Sequence, residues 1–250
     1  MKWHRAIPIF CGLILLSVAI AGCTASLNPP YVQFSPSQSP TGTPAGINAQ
    51  GTTSGTAHLL AVELLSNNSY TGAVSNLVVY TQPGTGYVFV ETQPATGVDF
   101  QETANTVVAV ASQRANVNPN QRDFEFVLRV PNGVDEVDGP SAGLPMTIAA
   151  YSAITKKPAN EYVYSTGTID SGGNVGDVGG VYYKAEAAAQ SSARVILVPY
   201  DQTVVSITSP LEANPTTGLV NLQSQLRHDG YNVTVVGVKT LDDALPYYFS

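Results

Sequence analysis

The sequence predicts an α+β domain, on three observations. Short runs rich in Val, Leu and Tyr, bounded by turn residues, recur from residue 57 onward, and apolar stretches of helical period stand between them in no regular alternation. Residues 56–250 are long enough for one domain with a sizeable core. No internal repeat occurs at solenoid periods, so the segments must pack on one another rather than stack as copies.

In chain order, "AHLLAVELL" (57–65), "SNLVVYTQ" (75–82) and "GYVFVETQ" (86–93) read as strands separated by "SNNSYTG" and "PGTG", and they predict a largely antiparallel sheet. "DFQETANTVVAVASQRANVN" (99–118) predicts a helix capped by Asp99 or Thr103 and stopped by Pro119. "FEFVLRVP" (124–131) is a strand that leads into "DGPSAG" (138–143). The following "AGLPMTIAAYSAITKKP" is a helix of small and apolar residues, hence buried, with Lys156 and Lys157 in its last turn. "EYVYSTGTI" (161–169) is a strand, "DSGGNVGDVGG" (170–180) a glycine-rich connection and "VYYKAEAAAQSSA" (181–193) a second helix. "RVILVPYD" (194–201) and "YNVTVVGV" (231–238) read as strands, "TGLVNLQSQLRHDG" (217–230) and "TLDDALPYYF" (240–249) as helices.

The N-terminus has the three-part layout of a secretory leader: basic Lys2 and Arg5, an apolar run from Ala6 to Ala21 that is short for a membrane span, and small residues ahead of Cys23. Ile20, Ala21, Gly22 and Cys23 resemble the lipobox of prokaryotic lipoproteins. This implies a signal peptide over residues 1–22 and lipidation of Cys23; an uncleaved anchor is the alternative. Residues 24–55 are rich in Pro, Ser, Thr and Gly without a single charge, so the segment from 23 to 55 is read as a tethered spacer. The expected location is outside the cytoplasm, membrane-anchored or secreted.

Composition narrows the chemistry. Of the two cysteines, Cys11 lies inside the leader and Cys23 at its end, which removes disulfides, a cysteine nucleophile and a cysteine-based zinc site from the domain. Eleven Lys and Arg against eighteen Asp and Glu give a formal charge of −7, which becomes −9 when Lys2 and Arg5 leave with the leader. An acidic chain with no basic run is a poor nucleic-acid binder.

Ser141 sits between Pro140 and Ala142 where a strand gives way to a helix. Two readings of it stay open: a helix cap, or a nucleophile at a strand-to-helix turn, which needs a base. The domain's histidines, His58 and His228, stand in no motif-like setting. Its lysines are Lys156, Lys157, Lys184 and Lys239, of which Lys184 lies one helical turn past "VGG" among Val, Tyr and Ala. A lysine serves as a base only when burial lowers its pKa from about 10.4; the alternative is a lysine extending off a helix into water.

"DGPSAG", then "TGTIDSGGNVGDVGG", then "VYYKAEAAAQSSARVILVP" resemble the proteolytic domain of Lon proteases, a family with a Ser–Lys dyad. "FQETANTVVAVASQRA", "FVLRVPNGVDEVDGPSAG" and "VVGVKTLDDAL" extend the resemblance over nearly all of residues 56–250, and the forty-three residues from Ser141 to Lys184 are the family's separation. The resemblance implies the Lon proteolytic-domain fold, which is like ribosomal protein S5 domain 2. It implies Ser141 as nucleophile, Lys184 as general base and Thr166 as a hydrogen-bonding residue near the lysine. Asp138 and Gly139 fall in the loop beside the scissile carbonyl, whose N–H groups, with that of Ser141, would form an oxyanion hole; Pro140 has no N–H to give. It implies no cofactor or metal, a peptide or unfolded-protein substrate, and a homo-oligomer as an option, since Lon domains tend to form rings.

The departures point to a particular branch. No "GxxxxGK[ST]" phosphate loop occurs, so the ATPase of full-length Lon has no counterpart in these residues. Thr168 replaces the family glutamate, Tyr182 the frequent basic residue before the lysine, and Val127 and Arg129 stand where many Lon enzymes have histidines. "TGTID" with "GNVG" and "GG" is closer to stand-alone, extracytoplasmic Lon-like proteases of bacteria and archaea. The expected function is an ATP-independent, membrane-tethered serine endopeptidase cleaving peptides or flexible segments outside the cytoplasm; the alternative is a catalytically lapsed Lon-fold binding or assembly lipoprotein.

Overall fold

Strand β1 (Thr53–Leu64) and strand β2 (Tyr70–Pro83) form a long antiparallel ribbon in register from Thr53 opposite Thr81 to Leu64 opposite Tyr70. The computed structural model describes residues 51–66, 69–93, 95–130, 136–208 and 217–249. The leader, Cys23 and the spacer up to residue 50 lie outside the described residues. β1 starts at Thr53, inside what the sequence assigned to the spacer.

β3 (Val88–Gln93) and the two-residue β4 (Ala95–Thr96) lead into helix α1 (Val98–Arg114), and β5 (Arg122–Arg129) follows. The sheet order is β1-β2-β5-β3: β5 is antiparallel to β2 but parallel to β3. The sheet is thus largely antiparallel, as expected, with β3 as the one strand that pairs in parallel. A helix carries the chain from β3 back to the same end, and parallel pairing is the outcome of such a crossover.

β6 (Glu136–Val137) pairs with β4 just before helix α2 (Gly143–Thr155). β7 (Val163–Ser165), the ribbon of β8 (Thr168–Ile169) and β9 (Val175–Gly176), and helix α3 (Val181–Gln190) come next. β10 (Val195–Pro199), β11 (Val204–Thr208), β12 (Thr217–Asn221), helix α4 (Leu222–His228), β13 (Thr234–Val238) and helix α5 (Leu241–Tyr248) complete the order. β13, β10 and β7 form a second, wholly parallel sheet, and β11 pairs with β12 antiparallel.

Strand alternation divides the core in two. On one face of the first sheet, Leu59, Leu77, Val79, Phe124, Phe126 and Leu128 are buried with residues of α1 and α2. On the other face, Leu60 and Val74 join Val181, Ala185 and Ala188 of α3. Gly72 sits in β2 where α3 crosses: a Cβ there would collide with the Tyr183 carbonyl, so only glycine permits this approach. As expected, α2 is buried along nearly its whole length; Leu144, Met146 and Ile148 are fully enclosed, each contributing roughly 1.5–3 kcal/mol.

Two local expectations are corrected. α2 stops at Thr155 and Lys156 takes the left-handed cap conformation (φ 60°), so Lys156 and Lys157 stand beyond the last turn. The helix expected over 217–230 is a strand to Asn221 and a helix only from Leu222.

Candidate active site

Ser141 lies in a 3-10 turn, Pro140–Ala142, that feeds α2. The helix-cap reading fails: Ala142 occupies the cap position, and no side chain caps α2. The backbone of Ser141 is held from the strand side. Its carbonyl accepts the Gly167 N–H (3.1 Å) and the Thr166 hydroxyl (3.4 Å), and the Leu144 N–H donates to the Gly167 carbonyl (2.9 Å). Thr166, itself buried, donates its N–H to Leu197 of β10 at 3.1 Å. The hydroxyl of Thr166 therefore serves the serine's main chain.

Two residues shape the entry to this turn. Gly139 has φ 106° and ψ 150°, a region that side-chain-bearing residues avoid, although a Cβ there would meet nothing within 4 Å. The requirement for glycine is thus conformational. Asp138 accepts the N–H of Phe100, at the third position of α1, over 3.2 Å. Gly97, at the cap position of α1, offers no side chain, so the carboxylate of Asp138 caps that helix from forty-one residues downstream.

Lys184 stands in the first turn of α3, its N–H bonded to Gly180 O at 3.1 Å, and it is only 4 % exposed. Burial alone lowers its pKa from 10.5 to about 8. At that value about half the side chain is neutral at pH 8, a form able to accept a proton.

Both residues line one cavity of about 1000 Å³ that wraps around the end of β1. Leu59, Ala73, Phe100, Leu128 and Val130 supply an apolar trough on the α2 side. Leu64, Tyr70 and Tyr183 lie on the α3 side, the last two with ring centroids 5.8 Å apart. Among the described residues neither the Ser141 hydroxyl nor the Lys184 amine makes a hydrogen bond. The two described histidines are elsewhere. His58 stacks on Tyr164 with centroids 4.1 Å apart, and His228 is exposed beside Asp229. Sequence reasoning named Ser141, Lys184, their loop and Tyr183 beside the lysine, but not the walls from β1, β2, β5 and α1, because those residues carry no chemical signature.

A serine on a braced turn and a desolvated lysine thus line one cavity, and among the described residues no histidine joins them. Residues 56–210 match the family model of the Lon protease (S16) C-terminal proteolytic domain, and the chain belongs to that family of serine peptidases. It is 40 % identical over 79 residues to Lon protease 2 of Bacillus subtilis (strain 168), covering 32 % of this chain and 14 % of that one. It is 35 % identical over 101 residues to Lon protease of Escherichia coli (strain K12), covering 39 % and 13 %. Lon protease of Metamycoplasma arthritidis is 31 % identical over 157 residues, covering 60 % and 19 %. The chain thus spans less than a fifth of the length of these relatives.

Proposed function

We propose that the chain is a serine endopeptidase in which Ser141 and Lys184 form the catalytic dyad. The observation that carries this reading is the meeting of two residues, distant in sequence, at one cavity, with the lysine desolvated enough to be a base near neutral pH. Neutral Lys184 takes the hydroxyl proton as Ser141 Oγ attacks the scissile carbonyl. Backbone N–H groups of the Asp138–Ser141 loop hold the oxyanion, and the ammonium returns its proton to the leaving amine as the C–N bond breaks. Water then hydrolyses the acyl-enzyme with Lys184 again as base.

Substrate would bind extended. Among the described residues β1 is an edge strand, paired only with β2, so the N–H and C=O groups along Ala61–Leu64 that point away from β2 are open to a peptide laid beside them. An extended mode favours peptides and flexible segments, since a folded substrate must open on its own. The further reading is ATP-independent action outside the cytoplasm from a lipid tether. It is supported by the lack of a phosphate-loop motif in these 250 residues and by the leader and lipobox pattern ending at Cys23.

One observation favours a lapsed binding module instead: the unmade hydrogen bond between the Ser141 hydroxyl and the Lys184 amine, although such bonds often tighten only with substrate bound. Treating the full chain, Ser141→Ala and Lys184→Ala with a fluorophosphonate probe decides between the two. Labelling mapped to Ser141 and lost in both variants is expected; an unlabelled, folded wild type would give the binding module the lead.

A further inference from the structure

Among the described residues three charged side chains line the cavity: Lys184, Asp138 and Glu63. The first is the proposed base, and the second is engaged with the N-terminus of α1. Glu63, half-buried in β1, makes no hydrogen bond or ion pair among the described residues. Nor is it the lysine's counter-ion, since burial is the sole influence on Lys184.

Strand alternation fixes which wall Glu63 belongs to. Leu59, Ala61 and Glu63 share one face of β1, and their partners Ser75, Ala73 and Thr71 share the same face of β2. That face carries the apolar trough of Phe100, Leu128 and Val130 beside the serine turn, and Glu63 lies at its far end toward the β1–β2 turn. A carboxylate with no partner among the described residues, at the end of an apolar trough, is complementary to a cation delivered by a ligand.

We infer that Glu63 is a specificity-determining residue that selects a basic side chain, Lys or Arg, on an extended peptide bound along the edge of β1. This rests on the peptide-binding reading of the cavity given above. It adds a register: the side chains of a peptide paired with β1 alternate as those of β1 do. The selected basic residue therefore lies on the same side as the residue seated beside Leu59, an even number of positions from it. The side chain between them faces Val62 and Leu64 instead.

The test uses peptides of ten residues in which one Lys, Gln or Glu is moved stepwise along an otherwise constant sequence. For the full chain, Glu63→Gln and Glu63→Lys, kcat/KM is measured and the cleaved bond mapped by mass spectrometry. Peptide Kd is measured in parallel on a Ser141→Ala background. Lys should exceed Gln by about fivefold at alternate positions only, and Glu should fall below Gln. Glu63→Gln should level the series, Glu63→Lys should invert it, and added salt should compress it. Equal values for Lys, Gln and Glu, a preference that survives Glu63→Gln, or no peptide binding at all would overturn the assignment. A Glu63-dependent Lys preference in Kd without any turnover would keep it while removing the endopeptidase reading.

Discussion

Lys184 and Glu125 are both ionisable, both almost enclosed, and both driven toward their neutral forms by burial, yet they lie in regions of opposite character. Glu125 is in β5 on the face of the first sheet away from α1 and α2, opposite Tyr80 and Phe89 in register. It is 7 % exposed, its Oε2 has no partner among the described residues, and burial followed by the like charge of Glu91 raises its pKa. Arg129, which faces the same side, reaches Glu91 at 3.5 Å. The free space beside Glu125 is about 10 Å³, against about 1000 Å³ at Lys184. Desolvation alone therefore does not define a site; room for a ligand, lined also by Ser141, distinguishes the lysine.

The largest effect expected is on turnover. Ser141→Ala or Lys184→Ala should lower peptide kcat by at least about a thousandfold with far-UV circular dichroism unchanged, whereas Glu125→Gln should leave kcat as it is. With wild type, kcat/KM should rise with pH along a limb centred near 8, because Lys184 must lose its proton to act; a flat profile from about pH 6 to 9 would remove it as the base.

Gly139→Ala comes next. A Cβ forces this residue out of its φ, at a cost of about 1–3 kcal/mol, and turns Ser141 with it. Steady-state kinetics should show a loss of roughly a hundredfold in kcat with smaller change in KM.

Stability sharpens the contrast at smaller scale. The folded-state pKa of Lys184 is depressed, so stability rises between about pH 8 and 10.5, and below that window the folded chain carries the full cost of a buried ammonium. Lys184→Met should gain on the order of 2 kcal/mol in urea unfolding at pH 7, fading toward pH 10.5. Glu125 has the opposite sign: its folded pKa is raised, so its contribution is favourable in acid and lost as pH rises through that value. Glu125→Gln should gain about 1 kcal/mol at pH 7 and nothing in acid.

What the sequence revealed follows from the range of the forces involved. The buried helix α2 was legible because nearly every residue of it is small or apolar, and the family because the motifs around Ser141 and Lys184 keep its separation. The β11–β12 ribbon was not. Leu219, Val220, Leu222 and Leu226 mimic a helical period across a strand–helix junction. Asn221, whose side chain accepts the Ser224 N–H, was the local signal that could have placed the helix start. The pairing of β3 with β5 and the place of Glu63 at the cavity depend on long-range register, which no local pattern encodes.

The carboxylate of Asp138 has a consequence for heat. It ties the first turn of α1 to the loop that carries Ser141. Helix ends loosen at temperatures well below global melting. Warming that frays this one turn also frees the Ser141 loop, so activity should decline while the sheet and its core remain intact, and inactivation by heat will report the end of a single helix.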